Sequence, residues 1–360
     1  MNVAIDVPSS LGKEVAKANL GISLLKLWLS FEVVLVHFWS MKLHPLWGGK
    51  DGTLTWFLQE LKDCAVPCFM LATFLFAAER FVAHEGRWFR DRLIRLVFPC
   101  AVWTAVTFAV FTALPPFSDF ATPTWRDFAY SVLGTNTALG AHLWFMAVLV
   151  ILTGFFGLFF RFVPARYRTA GLWTLLLAAI ALEHSGVNHA LFKTWHHDFQ
   201  RPMGRVIPMI PYACLGLMAG LSRRRWPTFS RTARLLLSLG ALCAFLVLLN
   251  FTFFVKPEGY HYTGLRMLTN ALALTAAAYF LPLEGLPYRL RAAIVFVSRY
   301  TMGVYMIHIL VGRPLQNFVF ARVGLERMTF SGSVVIFLTC WTICFALSRL
   351  PSRWIRSLVQ

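Results

Sequence analysis

The sequence predicts an all-α integral membrane protein, built as a single bundle of about ten transmembrane helices. Composition is the first reason, because 58% of the 360 residues are hydrophobic and only 14% are charged. One soluble core of this length could not bury so much apolar surface. The second reason is the recurrence of apolar segments of membrane length. The third is an uneven distribution of basic residues around them.

Apolar segments long enough to cross a bilayer recur along the whole chain. Two of them, near 170–183 and 206–221, are short, so nine or eleven spans are also compatible with the sequence. The ten predicted segments lie near 20–41, 64–82, 93–114, 142–160, 170–183, 206–221, 235–255, 264–282, 292–311 and 331–348.

The net charge of +18 is placed as in a membrane protein rather than a nucleic-acid-binding protein. With a cytoplasmic N-terminus, 20 of the 34 Lys and Arg residues fall on inner connections and tails, and 12 fall on outer connections. This bias predicts cytoplasmic N- and C-termini, with basic runs that meet membrane lipids. The predicted division is a cytoplasmic tail over 1–19, a transmembrane domain over 20–350 and a second cytoplasmic tail over 351–360.

Two ionisable residues of the first span, Lys26 and His37, point to a lined site. They are eleven positions apart in LGISLLKLWLSFEVVLVHFW, which brings them to within roughly 20° of one another around a helix. Along the axis they are about 16 Å apart, roughly half of a hydrocarbon core. Ionisable groups inside a span usually face a partner or a water-filled cavity. The pair therefore predicts an elongated ligand that extends from the cation of Lys26 to the imidazole of His37.

Further polar residues are predicted at the depth of His37, near the outer ends of two other spans. His142 and Trp144 begin the fourth span in AHLWFM, and His308 lies near the outer end of the ninth, with Tyr305 one turn deeper. Any one of these could be an ordinary interfacial residue. Three histidines at one depth, from helices distant in sequence, favour a shared site.

Arginines at the opposite face are candidates for phosphate contacts. Arg92 and Arg95 share one face at the entry to the third span, just before Pro99. They are either a topological anchor or a phosphate clamp, since guanidinium groups make paired contacts to phosphate oxygens. Arg299 lies deeper and requires a ligand or a carboxylate partner. The candidate carboxylates are Glu32, Asp63 and Glu79.

A ligand with a phosphorylated head and a slim tail ending in a reactive group fits this arrangement, and coenzyme A thioesters have that form. A histidine near the thioester could act as general base on an incoming hydroxyl, or as the nucleophile that takes the acyl group. No metal is expected, because the spacing in the histidine-rich stretch 183–198 is irregular and fits an exposed loop.

Five motifs in order resemble the membrane acyltransferase-3 family. A cation precedes His37 by about ten residues at Lys26, and Arg92, Arg95 and Pro99 match an RxxR motif before a proline. The sequence differs from the family pattern at Ser23, where an acidic residue is common, and at 72–73, where the family has Ser-Gly. The remaining three motifs are Val66-Pro67-Cys68-Phe69-Met70-Leu71, His142-Leu143-Trp144-Phe145 and Tyr305-Met306-Ile307-His308.

The resemblance implies an enzyme of about ten spans that acylates sugars and other acceptors, with His37 as the catalytic histidine and Arg92 and Arg95 as acyl-CoA ligands. We add Lys26 and His308 to the predicted catalytic group and Arg299 to the donor-binding group. His142, Trp144 and Tyr305 are the predicted acceptor-binding residues.

The predicted function is transfer of an acyl group, expected to be acetyl, from cytoplasmic acyl-CoA to a hydroxyl of an envelope or exported glycan. The predicted location is the bacterial inner membrane, and the acceptor is a glycan or lipid-linked saccharide. The alternative is a transporter or flippase of a glycan or lipid-linked precursor, with histidines as proton relays. Transporters favour inverted repeats and broken helices, and neither is evident in the sequence. A structural membrane subunit is the third possibility.

Overall fold

The computed structural model is helical throughout the part of the chain that it describes. The described residues are 15, 18–38, 64–83, 86–113, 124–125, 128, 143–187, 197–226, 228–254, 264–320, 322 and 329–359. The helices are α1 (Leu20–Phe38), α2 (Ala65–Val82), α3 (Gly86–Ala113), α4 (Trp144–Phe162), α5 (Ala165–His184), α6 (His197–Ser222), α7 (Arg231–Phe254), α8 (Leu265–Phe280), α9 (Tyr288–Ser298), α10 (Thr301–Pro314), α11 (Phe330–Ser348) and α12 (Arg353–Ser357). A π-helical turn over Leu315–Phe320 extends α10.

Seven of the described helices are long and apolar enough to cross a membrane, or eight if α9 and α10 form one bent span. The predicted count of ten and the predicted orientation of the termini are therefore not confirmed. Helices α5 and α8 correspond to two of the predicted segments but fall outside this set. Helix α8 has only 16 residues, and the first turn of α5 carries Arg166 and Arg168.

Helix α1 is the centre of the bundle and packs against α2, α8, α9, α10 and α11. Its N-terminus is fixed by Asn19, whose side-chain oxygen accepts a hydrogen bond from the Ile22 amide at 3.0 Å. The amide nitrogen of the same side chain donates to the Tyr279 carbonyl at 3.0 Å. One residue therefore caps α1 and anchors it to the end of α8.

Small residues allow a close crossing between α6 and α2. Gly216 and Gly220 of α6 lie against the backbone of α2 at Leu71 and Leu75, and an added Cβ at either glycine would overlap a carbonyl oxygen. Four-residue spacing of small residues allows this approach in membranes. The packing holds α2 firmly between α6 and α1.

The break between α9 and α10 bends this pair of helices by 50°. The Trp341 ring nitrogen on α11 donates to the Val297 carbonyl at 3.3 Å, and the hydroxyls of Tyr300 and Ser348 are hydrogen-bonded at 2.9 Å. Broken helices at membrane depth persist where neighbouring groups satisfy the freed backbone. Helix α11 does this, so the break is a fixed part of the structure.

Helix α7 is at the edge of the bundle and only 11% of its apolar window is buried. Its exposed apolar side chains include Leu236 and Val247, each 65% exposed. A helix that is apolar on its outer face suits contact with lipid.

Candidate active site

A cavity of about 340 Å³ lies at the break between α9 and α10. Helices α1, α2 and α4 supply its other walls. The cavity therefore lies against the central helix α1 and is partly open. The described lining residues are Ser23, Lys26, Phe69, Thr73, Phe145, Val295, Ser298, Arg299, Thr301, Met302 and Tyr305. We refer to this as the inner cavity.

Two cations face the inner cavity. Lys26 comes from α1 and Arg299 from the break itself. None of the described lining residues is acidic. Arg92 lies close enough to Lys26 for the two positive charges to repel each other. Positive charge on several elements around a cavity of this composition favours an anionic ligand.

The structure brings His37 and His308 together. Their ring centroids are 5.1 Å apart and the rings are tilted by 38°. His308 is fully buried, whereas His37 is only partly buried. Nδ1 of His308 is 2.7 Å from the Tyr305 carbonyl oxygen, which can only accept. Nδ1 therefore carries the proton, and Nε2 of the neutral ring is the atom that can accept one.

A glycine on α10 allows the two histidines to meet. Phe38, adjacent to His37, is 1% exposed and packs against Gly312, one turn beyond His308. An added Cβ at Gly312 would overlap the Phe38 ring. The Phe38 ring also contacts His308 edge-on, with centroids 6.2 Å apart. The end of α1 is therefore positioned by this ring and glycine contact.

Tyr305 connects the inner cavity to the histidine pair. Its ring lies 6.0 Å from the His308 ring and 5.7 Å from the Phe145 ring, measured between centroids. Both Tyr305 and Phe145 line the cavity. The histidines are therefore at the Tyr305 end of the inner cavity.

A second cavity of about 510 Å³ adjoins the first at the arginine-rich end of the bundle. Met302 lines both cavities, so they meet at this side chain. The described lining residues of this arginine cavity are Arg95, Leu96, Pro99, Met302, Arg356, Ser357 and Leu358.

Arg92 and Arg95 have different surroundings, although the sequence predicts a single clamp. Arg95 is exposed, lines the arginine cavity and donates from Nε to the Asp91 carbonyl at 3.2 Å. The Arg92 guanidinium lies over the Trp88 ring, 5.4 Å from its centroid, and its Nε is buried. Arg92 is near enough to both Lys26 and Arg95 for their positive charges to repel.

A third cavity of about 390 Å³ lies where α2, α3 and α4 meet. It shares no described lining residue with the other two, although Trp88, under the Arg92 guanidinium, is part of its wall. Its described lining residues are Arg80, Phe81, Gly86, Trp88, Phe89, Gly157, Leu158 and Arg161.

Two of the predicted acceptor-binding residues, Trp144 and His142, are not among the described walls of the inner cavity or the arginine cavity. Trp144 is covered by the Arg205 guanidinium, 4.2 Å from the ring centroid, and is not among the described residues that line either cavity. His142 and the candidate carboxylate Asp63 lie outside the described residues.

Sequence reasoning missed several residues of the site. Ser23 and Thr73, two positions that depart from the family pattern, both line the inner cavity, and this departure was the available signal. Nothing in the sequence marked Met302 or Arg356 as a site residue. Their positions in the structure depend on the helix break and on the packing of 350–359. The roles predicted for His37, Lys26, His308, Arg92, Arg95, Arg299, His142, Trp144 and Tyr305 stay predictions.

Comparison with known proteins assigns the family. Searches of curated proteins and of solved structures returned no match. The acyltransferase-3 family model, described as an acyltransferase domain, matches residues 19–349. This range includes the broken span, both histidines and all the described walls of the inner cavity. The chain therefore belongs to the acyltransferase-3 family of membrane acyltransferases.

Proposed function

We propose that the protein is an inner-membrane O-acyltransferase that takes an acyl group, expected to be acetyl, from cytoplasmic acyl-CoA. The acceptor is a hydroxyl of an envelope or exported glycan at the outer face. The observation that carries this proposal is the meeting of the two cavities at Met302. We refer to the two cavities together as the path. It runs from the exposed Arg95 and Arg356 to Tyr305, whose ring contacts His308, and neither histidine is among the described lining residues.

The shape and charge of the path fit a coenzyme A thioester. Its phosphate groups would lie in the arginine cavity, where Arg95 supplies a guanidinium. Its narrow tail would extend past Met302 into the inner cavity, alongside the packed aromatic rings of Phe69 and Phe145. Both volumes are within the roughly 300–1,000 Å³ of ligand pockets.

His37 is the proposed reacting residue, and its partial exposure supports this choice over His308, which is fully buried. In the base route, a ring nitrogen of His37 takes the acceptor's proton as the hydroxyl oxygen attacks the thioester carbonyl. The carbon–sulfur bond then breaks, and coenzyme A leaves as a thiolate that takes up a proton. In the acyl-histidine route, His37 attacks first, coenzyme A leaves, and the hydroxyl then displaces the imidazole.

Lys26 is better suited to donor binding than to the chemical step. The eleven-residue spacing on α1 puts it about 16 Å from His37 along the axis, so the two side chains cannot contact the same carbonyl. Lys26 faces the inner cavity with Arg299, where positive charge can hold an anionic donor along its length. His308 and Tyr305 position the His37 ring.

The test is transfer of radiolabelled acetyl from acetyl-CoA in proteoliposomes, with the host's extracted glycans as acceptors. We expect label in the glycan with the unmodified protein. We expect the His37→Ala variant to leave the glycan unlabelled. We expect the Arg92→Ala/Arg95→Ala variant to leave it unlabelled at low donor concentration. Equal labelling by all three proteins would show that these residues are structural. No labelling with any acyl-CoA and acceptor would reject the proposed function.

Transport is the second candidate, and the broken α9–α10 span is the observation that favours it. Discontinuous helices line the substrate sites of many transporters. A transporter would move an intact glycan or lipid-linked precursor across the vesicle membrane without acyl-CoA. Movement of that precursor without label transfer would favour this function over acylation.

A further inference from the structure

We propose that the segment 350–359 forms one wall of the donor site and supplies Arg356 as a ligand for the phosphate groups of the donor. This segment follows the matched acyltransferase domain, which ends at residue 349. The proposal rests on the proposed function for the identity of the donor. The phosphate contact itself can be tested without acyl transfer.

The segment is packed into the bundle. The ring nitrogen of Trp103, on α3, donates to the Leu358 carbonyl at 3.0 Å. The Trp354 ring lies 5.4 Å from the Phe98 ring, measured between centroids. Val359 is fully buried. Contacts at both ends of α12 therefore hold this short helix against the middle of α3.

A glycine makes room for this packing. A Cβ added at Gly303 of α10 would lie 2.8 Å from the Val359 carbonyl oxygen and 2.7 Å from the Cys344 Sγ. Real Cβ contacts are not this short, so a larger residue would displace the segment or α11. Gly303 is next to Met302, where the two cavities meet. The segment therefore packs against the turn of α10 that includes Met302.

The packing of the segment brings Arg356 to the same cavity as Arg95. Both side chains are exposed and line the arginine cavity with Ser357, and none of its described lining residues is acidic. Two guanidinium groups that line one cavity give it positive charge, and an anion bound there can contact both. Phosphate is the anion whose geometry suits paired guanidinium contacts.

The continuation of the cavity favours a nucleotide over a lipid headgroup. A lipid phosphate needs only an exposed basic surface, because its tails lie in the bilayer. The arginine cavity instead meets the inner cavity at Met302. A ligand whose phosphate groups bind Arg95 and Arg356 could therefore extend its tail into the bundle, as an acyl-CoA would.

The experiment measures binding of adenosine 3′,5′-bisphosphate and of coenzyme A to the full chain in phosphatidylcholine nanodiscs. We expect Arg356→Gln to weaken both affinities by roughly tenfold. The affinities of Arg356→Lys should fall between those of Arg356→Gln and of the unmodified protein. Gly303→Ala should produce a loss of similar size by displacing the segment. Arg349→Gln is the matched control, because Arg349 lies over Phe345 and is not among the described lining residues. We expect no change with it.

Equal affinities for Arg356→Gln and the unmodified protein would overturn the proposal. A second arm measures binding to vesicles that contain phosphatidylglycerol. Loss of vesicle binding with unchanged nucleotide affinity would assign Arg356 to lipid and also overturn the proposal. If the bisphosphate binds through Arg356 but no acyl group is transferred, the phosphate site stands and the proposed function fails.

Discussion

The histidine end and the arginine end of the path are built differently. His308 is fully buried, hydrogen-bonded to its own helix and packed beside the Phe38 and Gly312 contact. Arg95 and Arg356 are exposed, and they come from elements that are far apart in the sequence. One end fixes the position of a ring, and the other presents charge in an open cavity.

This difference matches what each end has to do in the proposed reaction. Proton or acyl transfer requires the reacting atoms to be held closely, and a misplacement of about 1 Å can lower a rate by roughly 100-fold. Phosphate binding depends on charge and on access, and it tolerates side-chain movement. Changes at the histidine end should therefore alter the rate at saturating donor, and changes at the arginine end should alter donor affinity.

The largest expected effect is that of His37→Ala. Removing a general base or nucleophile should lower kcat by about 10²- to 10⁴-fold, while the affinity for acyl-CoA stays within about twofold. Turnover in proteoliposomes and donor binding measure the two quantities. His184→Ala, on the exposed end of α5, is the control. Turnover by His37→Ala at the unmodified rate would remove His37 from the chemistry.

His308→Phe should have the next largest effect. Phenylalanine keeps a ring in the buried site but cannot donate to the Tyr305 carbonyl or accept a proton. We expect kcat to fall by roughly 10- to 100-fold, with donor affinity unchanged. Kinetics and donor binding on one preparation check this. An unchanged kcat would mean that His308 does not position His37.

Gly312→Ala tests the same end through packing. The added methyl group overlaps the Phe38 ring, so we expect a loss of about 1–3 kcal/mol in the free energy of unfolding. We also expect a lower kcat. Gly154→Ala on α4 is the matched control, because nothing lies within 4 Å of its added Cβ. Thermal unfolding in detergent should separate the two variants, and equal stability would contradict the packing argument.

Arg95→Gln should have the smallest effect on kcat. Loss of one guanidinium contact should raise the KM for acyl-CoA roughly tenfold, with kcat at saturating donor changed by less than about twofold. Initial rates over a range of donor concentrations measure both. A fall in kcat without a change in KM would place Arg95 in the chemical step.

The sequence predicted the helical membrane class and the family. It also singled out His37, His308 and Arg95, whose roles stay predictions. The Lys26 and His37 spacing was readable because both lie on one uninterrupted helix. The break at 299–300 was not readable, since no proline or glycine occurs within Ser298, Arg299 and Tyr300. Its stability comes from Trp341 and Ser348 on another helix.

Residues brought into the site by tertiary packing could not be predicted either. Arg356 looks like a tail residue in the sequence, and its place depends on contacts of its neighbours with Trp103 and Gly303. The predicted count of ten spans is not confirmed, since seven or eight of the described helices meet the length and composition requirement. Apolar character alone could not show that α8 has only 16 residues.

The most direct test of the division between the two ends is to measure acyl-CoA binding and acetyl turnover on the same preparations of His37→Ala and Arg95→Gln/Arg356→Gln. We expect the histidine variant to bind donor normally and transfer nothing measurable. We expect the arginine variant to bind weakly yet approach the unmodified rate at saturating donor. Equal loss of binding in both variants, or turnover by the histidine variant, would contradict a path with a binding end and a reacting end.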